Sequence, residues 1–76
     1  MTLEDRLAQA DAKHAKQERL RDTYRAAVSR MDSAARYLAD LIADGDDQLV
    51  LAAVARYRQY RTAYQEARAA YLGQPA

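Results

Sequence analysis

The chain has 76 residues with 12 basic and 11 acidic side chains, and it contains no cysteine, Trp, Phe or Asn. This length allows one domain with a small core, and the lack of cysteine excludes disulfides and thiolate metal sites. The net charge of +1 is too small to attract a polyanion unless the charges are sharply segregated. With only two Gly and one Pro, the composition predicts an all-α protein.

The first ten residues, MTLEDRLAQA, predict the start of a helix. Thr2 can accept a hydrogen bond from the amide of Asp5, and the acidic residues Glu4 and Asp5 suit the positive end of the helix dipole. The stretch lacks the apolar run of roughly 7 to 15 residues that marks a signal peptide, and no span approaches the roughly 20 apolar residues of a membrane helix. We therefore expect a soluble, cytoplasmic protein.

A long amphipathic helix is predicted over about residues 3–43. Positions on one face recur at alternating steps of three and four, and a second row widens the apolar face after residue 20. The first row is Leu3, Leu7, Ala10, His14, Gln17, Arg21, Tyr24, Val28, Met31, Ala35, Leu38 and Ile42, and the second row is Leu20, Ala27, Ala34 and Leu41. We therefore expect the later half of this helix to contribute more to the core than the earlier half.

The string ADGDDQ predicts a turn at residues 44–47. Gly45 can take the left-handed conformation that ends a helix, and Asp46 or Asp47 can cap the next one. A connection this short makes the two helices antiparallel neighbours.

The second helix is predicted over about residues 48–72, followed by a short tail at 73–76 in which Gly73 and Pro75 form a stop signal. The whole chain, residues 1–76, is then one antiparallel two-helix hairpin with coiled-coil-like packing. A separate short helix at the N-terminus remains an alternative.

A stripe of tyrosines and small apolar residues in the second helix recurs at steps of three and four, and it predicts a seam that packs on the first helix. The stripe is Val50, Ala53, Tyr57, Tyr60, Tyr64, Ala67 and Tyr71. The predicted hairpin core is Leu20, Tyr24, Val28, Met31, Leu38, Leu41, Val50, Val54, Tyr57 and Tyr64.

The two predicted helices differ in length. At about 1.5 Å per residue the first spans roughly 60 Å and the second just under 40 Å, so the second helix ends opposite roughly Leu20 and leaves residues 3–17 without a partner. Such an arm is marginal in water, so we expect it to fray, to fold back as a separate helix, or to be held by another chain.

No catalytic, cofactor or metal site is predicted. The only histidine, His14, lies far along the helix from Ser29 and Ser33, so a nucleophile with its base is not expected. The aspartates around the turn do not follow the calcium-loop pattern and are interpreted as turn and capping residues. A lone imidazole makes no metal site.

Nucleic-acid binding is the alternative use of the second helix, where four arginines lie beside tyrosines. We expect none, because the net charge is near zero and arginine stems can also cover the seam. The residues concerned are Arg56, Arg58, Arg61 and Arg68.

The segments MTLEDRLAQADAKHA, DGDDQ and RYRQY, joined by a long helix, resemble the small E-component co-chaperones of type III secretion needle subunits. The resemblance is strongest over residues 1–20. It implies a cytoplasmic, non-enzymatic hairpin that binds a tetratricopeptide-like chaperone and, with it, keeps the needle subunit from polymerising before export. Under this resemblance the partner-binding residues are Leu3, Leu7, Ala10, His14, Tyr37, Tyr60 and Tyr71.

Two other functions remain open from the residues alone. The hairpin could associate with itself into a four-helix bundle, with an arginine-rich surface for nucleic acid, or it could be a small phage or plasmid adaptor that blocks a larger machine.

Overall fold

The computed structural model describes residues 1–73 as two α-helices joined by a tight turn. Helix α1 is Leu3–Asp44 and helix α2 is Asp47–Leu72. The helices are antiparallel, because the end of α2 lies beside the middle of α1, and the described residues contain no strand. The predicted all-α two-helix hairpin is confirmed.

The predicted helix ranges of about 3–43 and 48–72 differ from the observed ones by one residue each, at the turn. Residues 74–76 of the predicted tail lie outside the described residues. No helix within residues 1–73 is long and apolar enough to cross a membrane.

Helix α1 is continuous over 42 residues. The N-terminal residues therefore belong to α1 and do not form a separate short helix. Its first turn is closed by a reciprocal capping box: the Asp5 amide donates to the Thr2 hydroxyl oxygen at 3.2 Å, and the Thr2 amide donates to the Asp5 carboxylate at 3.2 Å. These bonds satisfy two amides that have no partner within the helix. At about 1.5 Å per residue α1 spans roughly 63 Å, which matches the longest dimension of the chain, 65 Å.

The turn consists of Gly45 and Asp46. Gly45 has φ 77° and ψ 22°, and its amide donates to the carbonyl oxygens of Leu41 and Ile42, which ends α1 as expected. Asp46 is the capping residue of α2, because its carboxylate accepts from the amide of Leu49 at 3.1 Å. Asp47, the other candidate, is the first residue of the helix. Two connecting residues leave no geometry other than an antiparallel pair.

The interface between the helices, which we call the seam, uses the predicted stripe of α2 but only part of the predicted row of α1. Ala35 is exposed and the Ile42 side chain is 60% exposed, whereas Leu41 is buried and Ala34 is half-buried. The expectation that Ala35 and Ile42 belong to the inner row was wrong. A helix of 3.6 residues per turn drifts by about 20° per heptad relative to a strict seven-residue repeat, so the contact moves to the second row as α1 proceeds.

The seam has seven residues from each helix, all buried or half-buried. They are Leu20, Tyr24, Ala27, Met31, Ala34, Leu38 and Leu41 of α1 and Val50, Ala53, Tyr57, Tyr60, Tyr64, Ala67 and Tyr71 of α2. The other predicted core residues, Val28 and Val54, are half-buried beside it.

The core is thin. Among the described residues only Ala27, Leu41, Ala53 and Ala69 are buried, and no side chain is completely enclosed. The large tyrosines of the seam are all half-buried, because two helices can cover only one side of each other. Aromatic residues in this seam therefore contribute less to stability than the same residues in a closed core.

Replacing Tyr57 by alanine tests this conclusion. Large aromatic residues in closed cores cost about 3 to 5 kcal/mol when truncated to alanine, and we expect about 2 kcal/mol here because the ring is half-buried. The matched control is Tyr37→Ala, whose side chain is 53% exposed and whose loss we expect to change the free energy of unfolding by less than about 0.5 kcal/mol. Urea denaturation measures both, and equal losses for the two variants would show that Tyr57 is ordinary surface.

Candidate partner-binding surfaces

The first third of α1 packs on no other helix within residues 1–73. Every residue from Met1 to His14 is exposed, and the first half-buried residue is Ala15. We call residues 3–14 the overhang. It is slightly shorter than the predicted arm of residues 3–17, because the side-chain amide of Gln17 already donates to the backbone carbonyl of Tyr71 at 3.4 Å.

The two helices part at an open hollow where α2 ends. It is lined by Lys13, Lys16, Gln17, Leu20, Ala70, Tyr71, Leu72 and Gly73. Gly73, with φ 68°, is the left-handed residue that ends α2 at this point. Beyond the hollow, α1 continues alone toward the N-terminus.

The overhang carries four of the seven predicted partner-binding residues. The Leu3 and Leu7 side chains are 72% and 56% exposed, and Ala10 and His14 are also exposed. The Nε2 atom of His14 lies 3.0 Å from a carboxylate oxygen of Glu18, one turn further along the same helix. None of the four therefore contributes to the hairpin seam.

The remaining three predicted partner-binding residues lie in different surroundings. Tyr60 and Tyr71 are half-buried members of the seam, and Tyr37 is 53% exposed beside it. Tyr71 packs on Tyr24, with ring centroids 5.5 Å apart. In the isolated hairpin Tyr71 is thus an internal contact, and a partner could reach only its exposed edge.

Three tyrosine rings form a cluster at the end of α2. Tyr24 lies between Tyr64, at a centroid distance of 5.7 Å, and Tyr71, at 5.5 Å, with both pairs tilted by about 30°. Offset, tilted ring pairs contribute beyond the burial of their area. The cluster joins the two helices in the last turns of α2, a few turns before the overhang begins.

The cluster also changes the acidity of Tyr24. The neighbouring phenol of Tyr64 raises the pKa of Tyr24 above its ordinary value, and partial burial acts in the same direction, while the positive charge of Arg68 opposes them. A phenol held neutral by a neighbouring phenol suits a packed aromatic cluster, because ionisation would place a charge in the seam.

A groove runs along one side of the hairpin, between the two helices and toward the turn. The part farther from the turn has a volume of about 300 Å³, and a second hollow continues it beside Leu49 and Ala53. We call it the Tyr37 groove, and its lining residues are Ser29, Arg30, Ser33, Ala34, Tyr37, Leu49, Ala52, Ala53, Arg56 and Tyr60.

The sequence motifs do not predict this groove. The spacing of Ser29, Ser33 and Tyr37 nevertheless places all three on the flank of the seam. Ser29 lies 15 residues along α1 from His14, or about 22 Å at 1.5 Å per residue, so the structure does not bring the serines and the histidine together. Among residues 1–73 no group of three or more His, Asp or Glu side chains could hold a metal ion.

The sequence matches no protein family model and no curated protein, and no solved structure matches the hairpin.

The pKa of Tyr24 predicts a loss of stability in alkali. A raised pKa means that the folded chain holds this proton more tightly than the unfolded chain, so the contribution is complete below the ordinary tyrosine pKa of about 10 and is lost as the pH rises through the raised value. We expect the melting temperature to fall over this range, and to fall less steeply in Tyr24→Phe, which has no phenolic proton to lose.

The control for this measurement is Tyr37→Phe, which removes a phenol outside the cluster and should keep the pH dependence of the wild-type chain. If Tyr24→Phe and Tyr37→Phe followed the wild-type curve equally, the cluster would not be the source of the alkaline sensitivity.

Proposed function

We propose that this chain is a non-enzymatic protein-binding module of the cytoplasm, and that it acts as a co-chaperone with a tetratricopeptide-like chaperone to keep a type III secretion needle subunit soluble. The observation that supports protein binding is the overhang, a helical segment on which Leu3 and Leu7 are exposed and every residue up to His14 is exposed in the part of the chain that the structure describes. The resemblance of residues 1–20 to the E-component co-chaperones supports the choice of partner.

The overhang is well suited to docking because it is already helical. Starting a helix is the unfavourable step, whereas extending an existing helix adds one hydrogen bond for each residue that is fixed. The seam keeps the rest of α1 helical, so helical structure only has to extend from there into the overhang. A partner that binds the overhang therefore avoids most of the entropy cost of ordering a flexible segment.

The apolar contacts that the overhang can offer are small but sufficient for specific docking. Burying an exposed leucine side chain contributes about 1.5 to 3 kcal/mol, and Leu3 and Leu7 are one helical turn apart, so both can enter the same surface. Tetratricopeptide repeats stack into a solenoid with a concave face, and amphipathic helices bind grooves of this kind through residues spaced by three and four.

A co-chaperone of this kind would act by mass action. The hairpin would bind the folded state of the chaperone that is able to hold the needle subunit. The free energy by which binding stabilises that state grows with the logarithm of the ratio between the hairpin concentration and the dissociation constant of the complex. The hairpin then needs no chemistry of its own. It only has to bind one state of the chaperone more tightly than the others.

The test of this proposal replaces Leu3 and Leu7 by aspartate. We expect the double variant to bind a tetratricopeptide-like secretion chaperone of the same cell at least about tenfold more weakly, since one lost leucine contact is worth a factor of about ten or more. We expect its melting temperature to stay close to that of the wild type, because neither leucine contacts the hairpin. Isothermal titration calorimetry and thermal denaturation measure the two quantities.

The matched control is Leu51→Asp. Its side chain is 73% exposed, close to the exposure of Leu3, but it lies at the turn end of the hairpin, so chaperone binding should be unchanged. A wild-type chain that does not bind the chaperone would remove the proposed partner. Binding that survives Leu3→Asp/Leu7→Asp would show that the overhang is not the docking element.

A further inference from the structure

The part of the Tyr37 groove farther from the turn is lined by basic and hydroxyl side chains. Arg30 lines it from α1 and Arg56 lines it from α2, and no acidic residue belongs to this lining. Four hydroxyl groups complete the polar part of the lining, from Ser29, Ser33, Tyr37 and Tyr60. Two guanidinium groups from opposite helices therefore border one hollow of about 300 Å³.

This lining has the chemistry of an anion site. A guanidinium group presents fixed N–H donors that match the oxygens of a phosphate or a carboxylate, and each hydroxyl group can add one more donor. Neither Arg30 nor Arg56 lies within 4.0 Å of a carboxylate in residues 1–73, so no acidic side chain of that segment competes for these donors. One anion can contact both arginines, because both border the same hollow.

The part of the groove nearer the turn is mostly apolar. It has a volume of about 190 Å³, and its lining is Tyr37, Leu49, Ala52, Ala53 and Arg56. Tyr37 and Arg56 border both parts of the groove, so the polar and apolar parts meet at these two residues. Ligand sites commonly combine an apolar surface with a few convergent polar groups in this way.

The charges around the groove determine the direction in which a ligand would lie. From Tyr37 to Ala55 the sequence has four aspartates and no lysine or arginine, so the turn end is negative. Arg30 borders only the part farther from the turn. A ligand with one anionic end and one apolar end is therefore favoured with its charge beside Arg30 and Arg56 and its apolar end toward Leu49.

We propose that the Tyr37 groove binds a small organic phosphate, a phosphate monoester attached to an apolar or aromatic group. The phosphate lies between Arg30 and Arg56 and accepts hydrogen bonds from the surrounding hydroxyl groups, and the apolar group packs on Ala53 and Leu49. A phosphate monoester suits two guanidinium groups and four hydroxyl groups better than a carboxylate does. It presents three terminal oxygens and a charge of about −1.5 to −2 at pH 7.

The groove and the overhang are separate surfaces. The groove lies between the later half of α1 and the first half of α2, whereas the overhang is residues 3–14. The phosphate site therefore does not depend on which protein the overhang binds. A ligand in the groove contacts both helices, so its binding also stabilises the folded hairpin.

NMR titration of the isotope-labelled full chain with phenyl phosphate tests the site. We expect saturable shifts of the amide signals of residues 29–37 and 49–60, while the amides of residues 3–14 stay unchanged. Because the ligand is small and the groove is open, we expect a dissociation constant in the millimolar range. The melting temperature should rise with the concentration of phenyl phosphate, since the ligand binds only the folded hairpin.

Simpler probes separate the two ends of the ligand. Benzyl alcohol, which has the ring without the charge, should bind at least about tenfold more weakly than phenyl phosphate. Inorganic phosphate should shift the amides around Arg30 and Ser33 more than those around Leu49. Replacing Leu49 by Gln should weaken the binding of phenyl phosphate and leave the binding of inorganic phosphate unchanged.

Removing one guanidinium group tests the polar end. We expect Arg30→Gln and Arg56→Gln each to weaken phenyl phosphate binding at least about fivefold, since each loses a charge-assisted contact. The matched controls Arg36→Gln and Arg58→Gln remove the same charge from positions outside the groove lining. They should change the dissociation constant by less than about twofold, because salt screens exposed charges that do not touch the ligand. Circular dichroism verifies that each variant is folded.

Three results would overturn the proposal. A wild-type chain that shows no saturable shifts in the groove at millimolar phenyl phosphate would exclude the site. Equal weakening by the groove variants and the control variants would show a nonspecific attraction to a basic surface. Binding to vesicles that contain phosphatidic acid, without binding of phenyl phosphate, would make this face a membrane contact and not a site for a small ligand.

Discussion

The unequal length of the two helices determines most of what this molecule can do. Helix α1 has 42 residues and α2 has 26, and the turn between them is only two residues long. The shorter helix therefore ends beside the middle of the longer one, and the overhang projects alone. No rearrangement within so short a connection could cover it, so its apolar side chains are available to another surface.

A second constraint is that two helices enclose very little. The seam buries alanines and one leucine, and it leaves every tyrosine half-exposed. The chain thus keeps two kinds of open surface: the overhang, where α1 has no neighbour, and the flanks of the seam, where both helices are present but nothing covers their sides. The proposed co-chaperone role uses the first surface.

Local chemistry explains which parts of the structure could be predicted from the sequence. The capping residue Thr2, the left-handed Gly45 and the tyrosine stripe of α2 each depend on a few neighbouring residues, and each lies where it was expected. The overhang followed from comparing two helix lengths. By contrast, whether Leu41 or Ile42 faces α2 depends on how far α1 rotates about its own axis along the contact. A strict seven-residue repeat ignores this rotation and therefore selects the wrong residue.

The Tyr37 groove was missed for a similar reason. Its residues come from both helices, and none of them forms a motif with its neighbours in the chain. Only the antiparallel pairing brings Arg56 beside Arg30 and Tyr37 beside Ala53. The identity of a binding partner is harder still to predict, because an exposed leucine on a helix is compatible with many apolar surfaces.

Helix α1 is packed along the seam and unsupported along the overhang. Amide hydrogen exchange of the free chain, resolved by residue in dilute solution, measures this directly. We expect strong protection for amides between residues 20 and 42 and rapid exchange between residues 7 and 14, where opening requires no loss of tertiary contacts. Equal protection of the two segments in the isolated monomer would contradict it.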